Sequence, residues 1–157
     1  MADPITPAGM AALKARYDHL FATERPQMVE TVSWAAGNGD RSENGDYIYG
    51  RKRLREIDRE LAHLSKRMAN LQVVDPRRQP DKARIFFGAT VKVVDEDDRE
   101  QTLTLVGRDE ADAGRGRIAW NSPVAIALKG ATAGQTRTVR LPAGERHLEV
   151  LEIAYPS

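Results

Sequence analysis

A chain of 157 residues without cysteine, 41% hydrophobic and 30% charged, has room for one ordinary domain or two small ones and excludes disulfides and thiolate metal sites. The formal net charge of +1 averages over strong local imbalance: residues 51–67 hold seven Lys/Arg against three Asp/Glu, and residues 95–100 hold five acids and one arginine. The start, MADPITPAGM, lacks the basic stretch and apolar core of a secretory signal, and no apolar run approaches the ~20 residues that cross a bilayer.

Thr6-Pro7 reads as the N-cap and first position of a helix. Leu13, Tyr17 and Leu20 follow at helical spacing, and Met28, Val32 and Ala35 repeat that spacing offset by one position. Pro26 stands between the two stripes, where a proline is expected to kink or interrupt the helix. The second segment should stop at Gly37-Asn38-Gly39. Beyond it, Leu54, Ile57, Leu61, Leu64, Met68 and Leu71 trace an a/d seam that extends backward through Gly50 and Tyr47. A helix from about Glu43 to Val73 would be roughly 45 Å long at ~1.5 Å per residue. Alone it cannot bury its stripe. The expected partner is the upstream helix, in an antiparallel coiled-coil hairpin over residues 1–75 with its tip near 37–46.

Residues 76–84, proline-containing and basic, read as a linker. The period then changes. Thr90–Val94, Gln101–Val106, Thr136–Leu141 and His147–Ile153 are β-branched and partly alternating, as half-buried antiparallel strands are. Asp95–Arg99 and Pro142–Glu145 read as turns, and Ser122-Pro123 opens one short capped helix over Val124–Leu128. The fold class is α+β, a coiled-coil hairpin followed by a small β-rich domain over 85–157 with one short helix.

Three stretches carry possible chemistry. GDRSENGDY, residues 39–47, brings Asp40, Glu43 and Asp46 together between the two helical patterns. Asp40 with Glu43 fits an N-cap and an acid three positions on, in a first turn whose dipole favours negative charge. The same two carboxylates, projected from the end of a rod, suit a shared Mg²⁺, which takes one or two protein carboxylates and keeps its waters. The second stretch is basic: Lys52, Arg55, Arg59 and Lys66 share one flank, with Arg51 and Arg53 nearby, and residues 51–55 contain no acid. A solvated face with Glu56–Arg59 pairs and a surface for a phosphate backbone are both open readings. The third is aromatic: Phe86, Phe87, Trp120 and Tyr155 read as core rather than as a ligand pocket. The histidines at 19, 63 and 147 have no metal-ligand spacing, and no self-contained catalytic set is visible.

The run from Glu24 to Pro76, with GDRSEN and YIYGRKRLREID inside it, closely resembles the N-terminal hairpin of the bacterial Gre transcript-cleavage factors, of the GreB rather than the GreA kind. FFGATVKV, SPVAIAL and LPAGE extend the likeness over essentially the whole chain. The resemblance implies a β-rich domain similar to the FKBP fold, which docks on the rim of the RNA polymerase secondary channel while the hairpin enters it. Asp40 and Glu43 would then be the catalytic acids, helping to hold a second Mg²⁺ at the polymerase active site, a metal not bound stably by the isolated chain. Arg41, Ser42, Asn44 and Tyr47 would support the tip. Arg51, Lys52, Arg53, Arg55 and Arg59 would lie near the nascent RNA 3′ segment, and Asn121, Ser122 and Pro123 would dock on the polymerase. The implied protein is a cytoplasmic, monomeric accessory factor, not an enzyme in its own right, with no membrane partner.

Three positions depart from the family pattern: Gly45 where alanine is usual, Asn121 where an acid precedes Ser-Pro, and Ile126 where arginine is common. The altered rim segment keeps a second reading in play, a channel-binding regulator that inhibits without promoting cleavage. A third, a free-standing prolyl isomerase, would need an aromatic-lined pocket.

Overall fold

The computed structural model describes residues 2–37 and 44–157. They form two compact units, one of Met10–Asn70 and the other of the chain up to Gly9 together with Leu71–Ser157.

In the helical unit, α1 (Pro7–His19) passes through a π-helical turn (Leu20–Glu24) into α2 (Arg25–Ala36), and α3 (Gly45–Ala69) packs against them. The π turn is marked by the Arg25 N–H, which donates to the carbonyl of Leu20, five residues back. It adds one residue to the helical register, which accounts for the one-position offset between the two apolar stripes. Pro26 has no N–H to donate, and its ring would press on a carbonyl four residues back in a regular helix. The interruption expected at the proline therefore takes the form of a widened turn rather than a break.

Leu20, Ile57, Leu61 and Leu64 are buried together, with Leu13, Tyr17, Met28 and Met68 packed around them. Gly50 is buried on the same seam, where an added Cβ would lie 2.6 Å from Val32 Cγ2. Charged pairs lock the register of the two strands of the hairpin: Arg16 to Glu60 at 2.8 Å, Arg25 to Asp58 at 2.8 Å, and Arg53 to Glu24. The helix expected to reach Val73 stops at Ala69, because Asn70 turns its Nδ2 back onto the Lys66 carbonyl at 3.0 Å and the chain leaves as a strand.

The second unit is built on a five-stranded sheet in the order β5-β4-β3-β7-β6, from β3 (Thr90–Asp95), β4 (Glu100–Val106), β5 (Arg117–Ala119), β6 (Thr136–Leu141) and β7 (Gly144–Ala154). Alternate residues Val91, Val93, Leu103, Leu105, Val139, Leu148 and Val150 turn inward onto Ala125 and Leu128 of α4 (Pro123–Leu128). β6 and β7 are joined by Pro142 and Ala143 alone, since Leu141 already pairs with Gly144.

The domain boundaries are drawn differently from the sequence expectation. A short parallel pair, β1 (Asp3–Ile5) with β2 (Leu71–Val73), takes the N-terminus into the sheet-containing unit. The Glu110 carboxylate reinforces it by accepting from the Thr6 N–H and hydroxyl and from the Gly107 N–H. Within the expected 76–84 linker, Pro76 is buried beneath Gly88, which adopts φ +88 and approaches so closely that a Cβ would lie 2.4 Å from the proline ring. The start of that segment is thus packed into the unit at Pro76, while residues 77, 78 and 80–84 are exposed.

Candidate functional site

The end of the hairpin is organised by one amide. Asn44 sits in extended conformation before α3; its Oδ1 accepts from the Tyr47 N–H at 3.2 Å, which caps the helix. Its Nδ2 donates to the Ala35 carbonyl at 2.6 Å, one of the carbonyls left without a helical partner at the end of α2. One side chain thus starts α3 and fastens it to α2. This corrects the capping assignment: the N-cap is Asn44, not Asp40, because Asn44 reaches both helix ends at once. Asp40, Arg41, Ser42 and Glu43 lie outside the described residues. Asp46 occupies the first turn of α3, as its charge favours. At Gly45 an added Cβ would meet nothing within 4 Å.

The five basic residues separate into different roles. Arg51 donates to the Tyr47 hydroxyl at 3.2 Å and lies 5.7 Å from the centre of that ring, so cation and aromatic brace each other. Arg53 is drawn into the hairpin by Glu24 and Glu56, and its side chain is only 23% exposed. Glu56 therefore serves Arg53, not Arg59. Lys52, Arg55 and Arg59 are exposed and have no ion pair among the described residues. Their spacing sets them on the side of α3 opposite the buried Gly50–Ile57–Leu61–Leu64 seam.

Sequence periodicity gave no role to a set of apolar side chains near this end. Trp34 is 63% exposed, Tyr49 61% and Ile48 52%. Each falls off the a/d stripe, and that displacement was the available signal.

In the other unit, Ser122 accepts from the Ala125 N–H at 3.3 Å and caps α4, with Pro123 at its first position. Ala125 and Leu128 anchor this short helix, leaving Asn121, Pro123 and Ile126 outward, the last 63% exposed. The sheet also borders a cavity of about 250 Å³ whose lining, including Leu103, Ile118, Val139 and Leu148, contains no aromatic side chain. The four aromatics are half-buried elsewhere; Tyr155 accepts from the Phe86 N–H and donates to the Arg84 carbonyl. This cavity therefore does not supply the aromatic-lined pocket that a prolyl isomerase reading requires. Those residues also contain no group of three or more His, Cys, Asp or Glu placed to hold a metal, and no helix long and apolar enough to cross a membrane.

Comparison with known proteins places both halves. Residues 3–73 match the family described as transcription elongation factor, N-terminal, and residues 79–155 match transcription elongation factor, GreA/GreB, C-terminal. The chain is 48% identical over 151 residues to transcription elongation factor GreB of Neisseria meningitidis serogroup B, covering 96% of this chain and 93% of the relative. It is 47% identical to GreB of Pseudomonas aeruginosa, covering 97% and 90%. A solved GreA/GreB structure from Nitrosomonas europaea is 21% identical, with a TM-score of 0.42, over 98% of this chain and 99% of that one.

Proposed function

The chain belongs to the GreA/GreB family of transcription elongation factors, and from that premise we propose that it acts on RNA polymerase as a GreB-type cleavage factor. The hairpin inserts through the secondary channel, and residues between α2 and α3 assist the polymerase's own hydrolysis of backtracked RNA. The observation that carries this reading is the Asn44 clamp. It ties α2 to α3 on the threshold of the segment that contains Asp40 and Glu43.

The donor chemistry fits magnesium. Asp40 and Glu43 supply hard carboxylate oxygens, and two such groups leave most of the coordination sphere to the partner. The ion would supply charge neutralisation at the reacting phosphate and a more acidic water. This chain's part is to supply those two carboxylates. Lys52, Arg55 and Arg59 attract the phosphates of the displaced RNA 3′ segment. Asn121 and Pro123 meet the polymerase rim from the start of α4, Asn121 as a hydrogen-bonding group without charge. A cytoplasmic location accompanies this role. The inhibitor reading is less favoured, since the relatives that cover nearly the whole chain are elongation factors of the GreB kind.

A backtracked elongation complex with 3′-labelled RNA tests the proposal. Wild-type protein should release short 3′ fragments. Asp40→Asn and Glu43→Gln should bind equally well and cut at least about tenfold more slowly, a loss of about 1.4 kcal/mol in transition-state stabilisation. Asparagine keeps the size and the acceptor oxygen of aspartate and removes its charge, so undiminished cleavage by Asp40→Asn would leave that carboxylate without a role. A wild-type protein that binds and blocks would replace cleavage with inhibition.

A further inference from the structure

The outward face of the sheet carries a groove of about 460 Å³ that none of the residues assigned above occupies. A polar row crosses its floor: Thr90 on β3 pairs with Thr104 on β4, and Thr104 with Arg117 on β5. The two hydroxyls lie 3.0 Å apart. Arg77 and Arg115 bring the guanidiniums in the lining to three, and each faces one carboxylate: Asp75 within the lining, and Asp112 and Glu110 just outside it.

The three cations are not equivalent. Arg77 is committed to Asp75 through contacts of 2.9 and 3.1 Å. Arg115 and Arg117 stand 3.6 and 3.7 Å from Asp112 and Glu110, beyond hydrogen-bond reach. Glu110 Oε2 accepts from the Thr6 and Gly107 N–H groups and Oε1 from the Thr6 hydroxyl, and Oε1 is the oxygen nearest Arg117. Arg115 and Arg117 are both ion-paired without a direct hydrogen bond to the carboxylate, which leaves N–H donors for a further acceptor, and the turn that bears them is preset. Asp112 and Arg117 exchange backbone hydrogen bonds of 2.8 and 3.0 Å. Gly116 closes the turn at φ +70, where a Cβ would lie 2.5 Å from the Thr102 carbonyl oxygen. The backbone of the turn is thus fixed before a ligand arrives, and only the Arg115 and Arg117 side chains remain to be ordered. The rest of the wall is apolar and stiff, formed by Pro7, Pro76, Pro156 and Val106.

We infer that this groove binds a nucleoside di- or triphosphate, with its phosphates on Arg115 and Arg117 and its base on the proline–valine wall. Guanidinium forks match phosphate oxygens in pairs. The groove has the size of a small-molecule site, mostly apolar with a few fixed polar groups. A carboxylate ligand of similar charge would satisfy the arginines but leave the flat apolar wall uncovered. The inference does not depend on the transcription reading.

The test titrates the full-length chain with ADP, GDP and inorganic pyrophosphate, following backbone amide shifts by NMR. Saturable shifts are expected at residues 77, 104 and 115–117, with pyrophosphate binding at least about tenfold more weakly than either nucleotide. Arg115 is 79% exposed, so Arg115→Gln leaves the fold intact; it should weaken nucleotide binding about tenfold, the scale of a charge-assisted contact. Arg117→Lys, which keeps the charge and loses the fork, should weaken it less. Arg140→Gln, at an 87% exposed position on β6, should change nothing. Absence of saturable shifts in the groove, pyrophosphate binding as tight as ADP, or an equal loss in Arg140→Gln would each overturn the assignment.

Discussion

Asn44 and Gly45 show how neighbouring residues divide the labour of starting a helix. The asparagine satisfies a donor of α3 and a carbonyl of α2, while the glycine contributes neither contact nor a positive φ. Gly45→Ala should therefore stabilise the chain by about 0.5–1 kcal/mol, through helix propensity and a less flexible unfolded state. Thermal unfolding should report a rise of about 1–4 °C. Asp95 makes a second residue-scale case. Its carboxyl is held below the ordinary value of 3.8 by the Arg99 N–H foremost, with help from the Asp97 N–H and the Arg146 charge. A lowered folded-state pKa gives stability that is fully present above the unfolded value and is lost as pH falls through the folded one. Wild type should thus lose more stability between pH 7 and pH 3 than Asp95→Asn does. Parallel acid limbs in melting curves of the two proteins would remove Asp95 from the account.

Among the elements, the hairpin depends on a close approach. Gly50 lets α3 meet Val32 of α2, and a methyl group at that position would overlap the valine at 2.6 Å. Gly50→Ala should cost about 1–3 kcal/mol despite alanine's better helix propensity, since overpacking outweighs a gain of ~1 kcal/mol. Val32→Ala added to it should recover part of the loss. Additive losses in urea unfolding of the single and double variants would mean that the two side chains do not share this space. The a/d seam of α3 was legible from spacing alone, as were both stripes of the opposing helix. The π turn was written in the sequence as an offset of one position beside a proline. Its form could not be read there, because a broken helix and a widened turn shift the pattern alike.

Over the whole molecule, charge is sorted by what surrounds it. Arg53 stands within the same basic run as Lys52, Arg55 and Arg59, yet only Arg53 is enclosed by Glu24 and Glu56. The triple variant Lys52→Ala, Arg55→Ala, Arg59→Ala should flatten the salt dependence of RNA cleavage, with little change in melting temperature. Arg53→Ala should do the reverse, lowering stability by about 1 kcal/mol and leaving the salt dependence nearly intact. A flattened salt dependence in Arg53→Ala would return it to the RNA-facing set.

Local order determined what the sequence could determine alone. Alternation marked β3, β4, β6 and β7, and heptad spacing marked α3. The dipeptide Ser122-Pro123 marked the start of α4, and the motifs around residues 39–58 marked the family. Pairings between distant residues were decided only in three dimensions. Residues 3–5 beside 71–73, Glu110 holding Thr6, and Pro76 beneath Gly88 depend on contacts that leave no period in a three-residue strand or a single carboxylate. The same applies to Asn44 over Asp40 as the cap, and to the row Thr90–Thr104–Arg117. A hydrogen-bonding side chain has several partners within its reach along the chain, and tertiary packing chooses among them by placing one carbonyl, amide or charge within bonding distance.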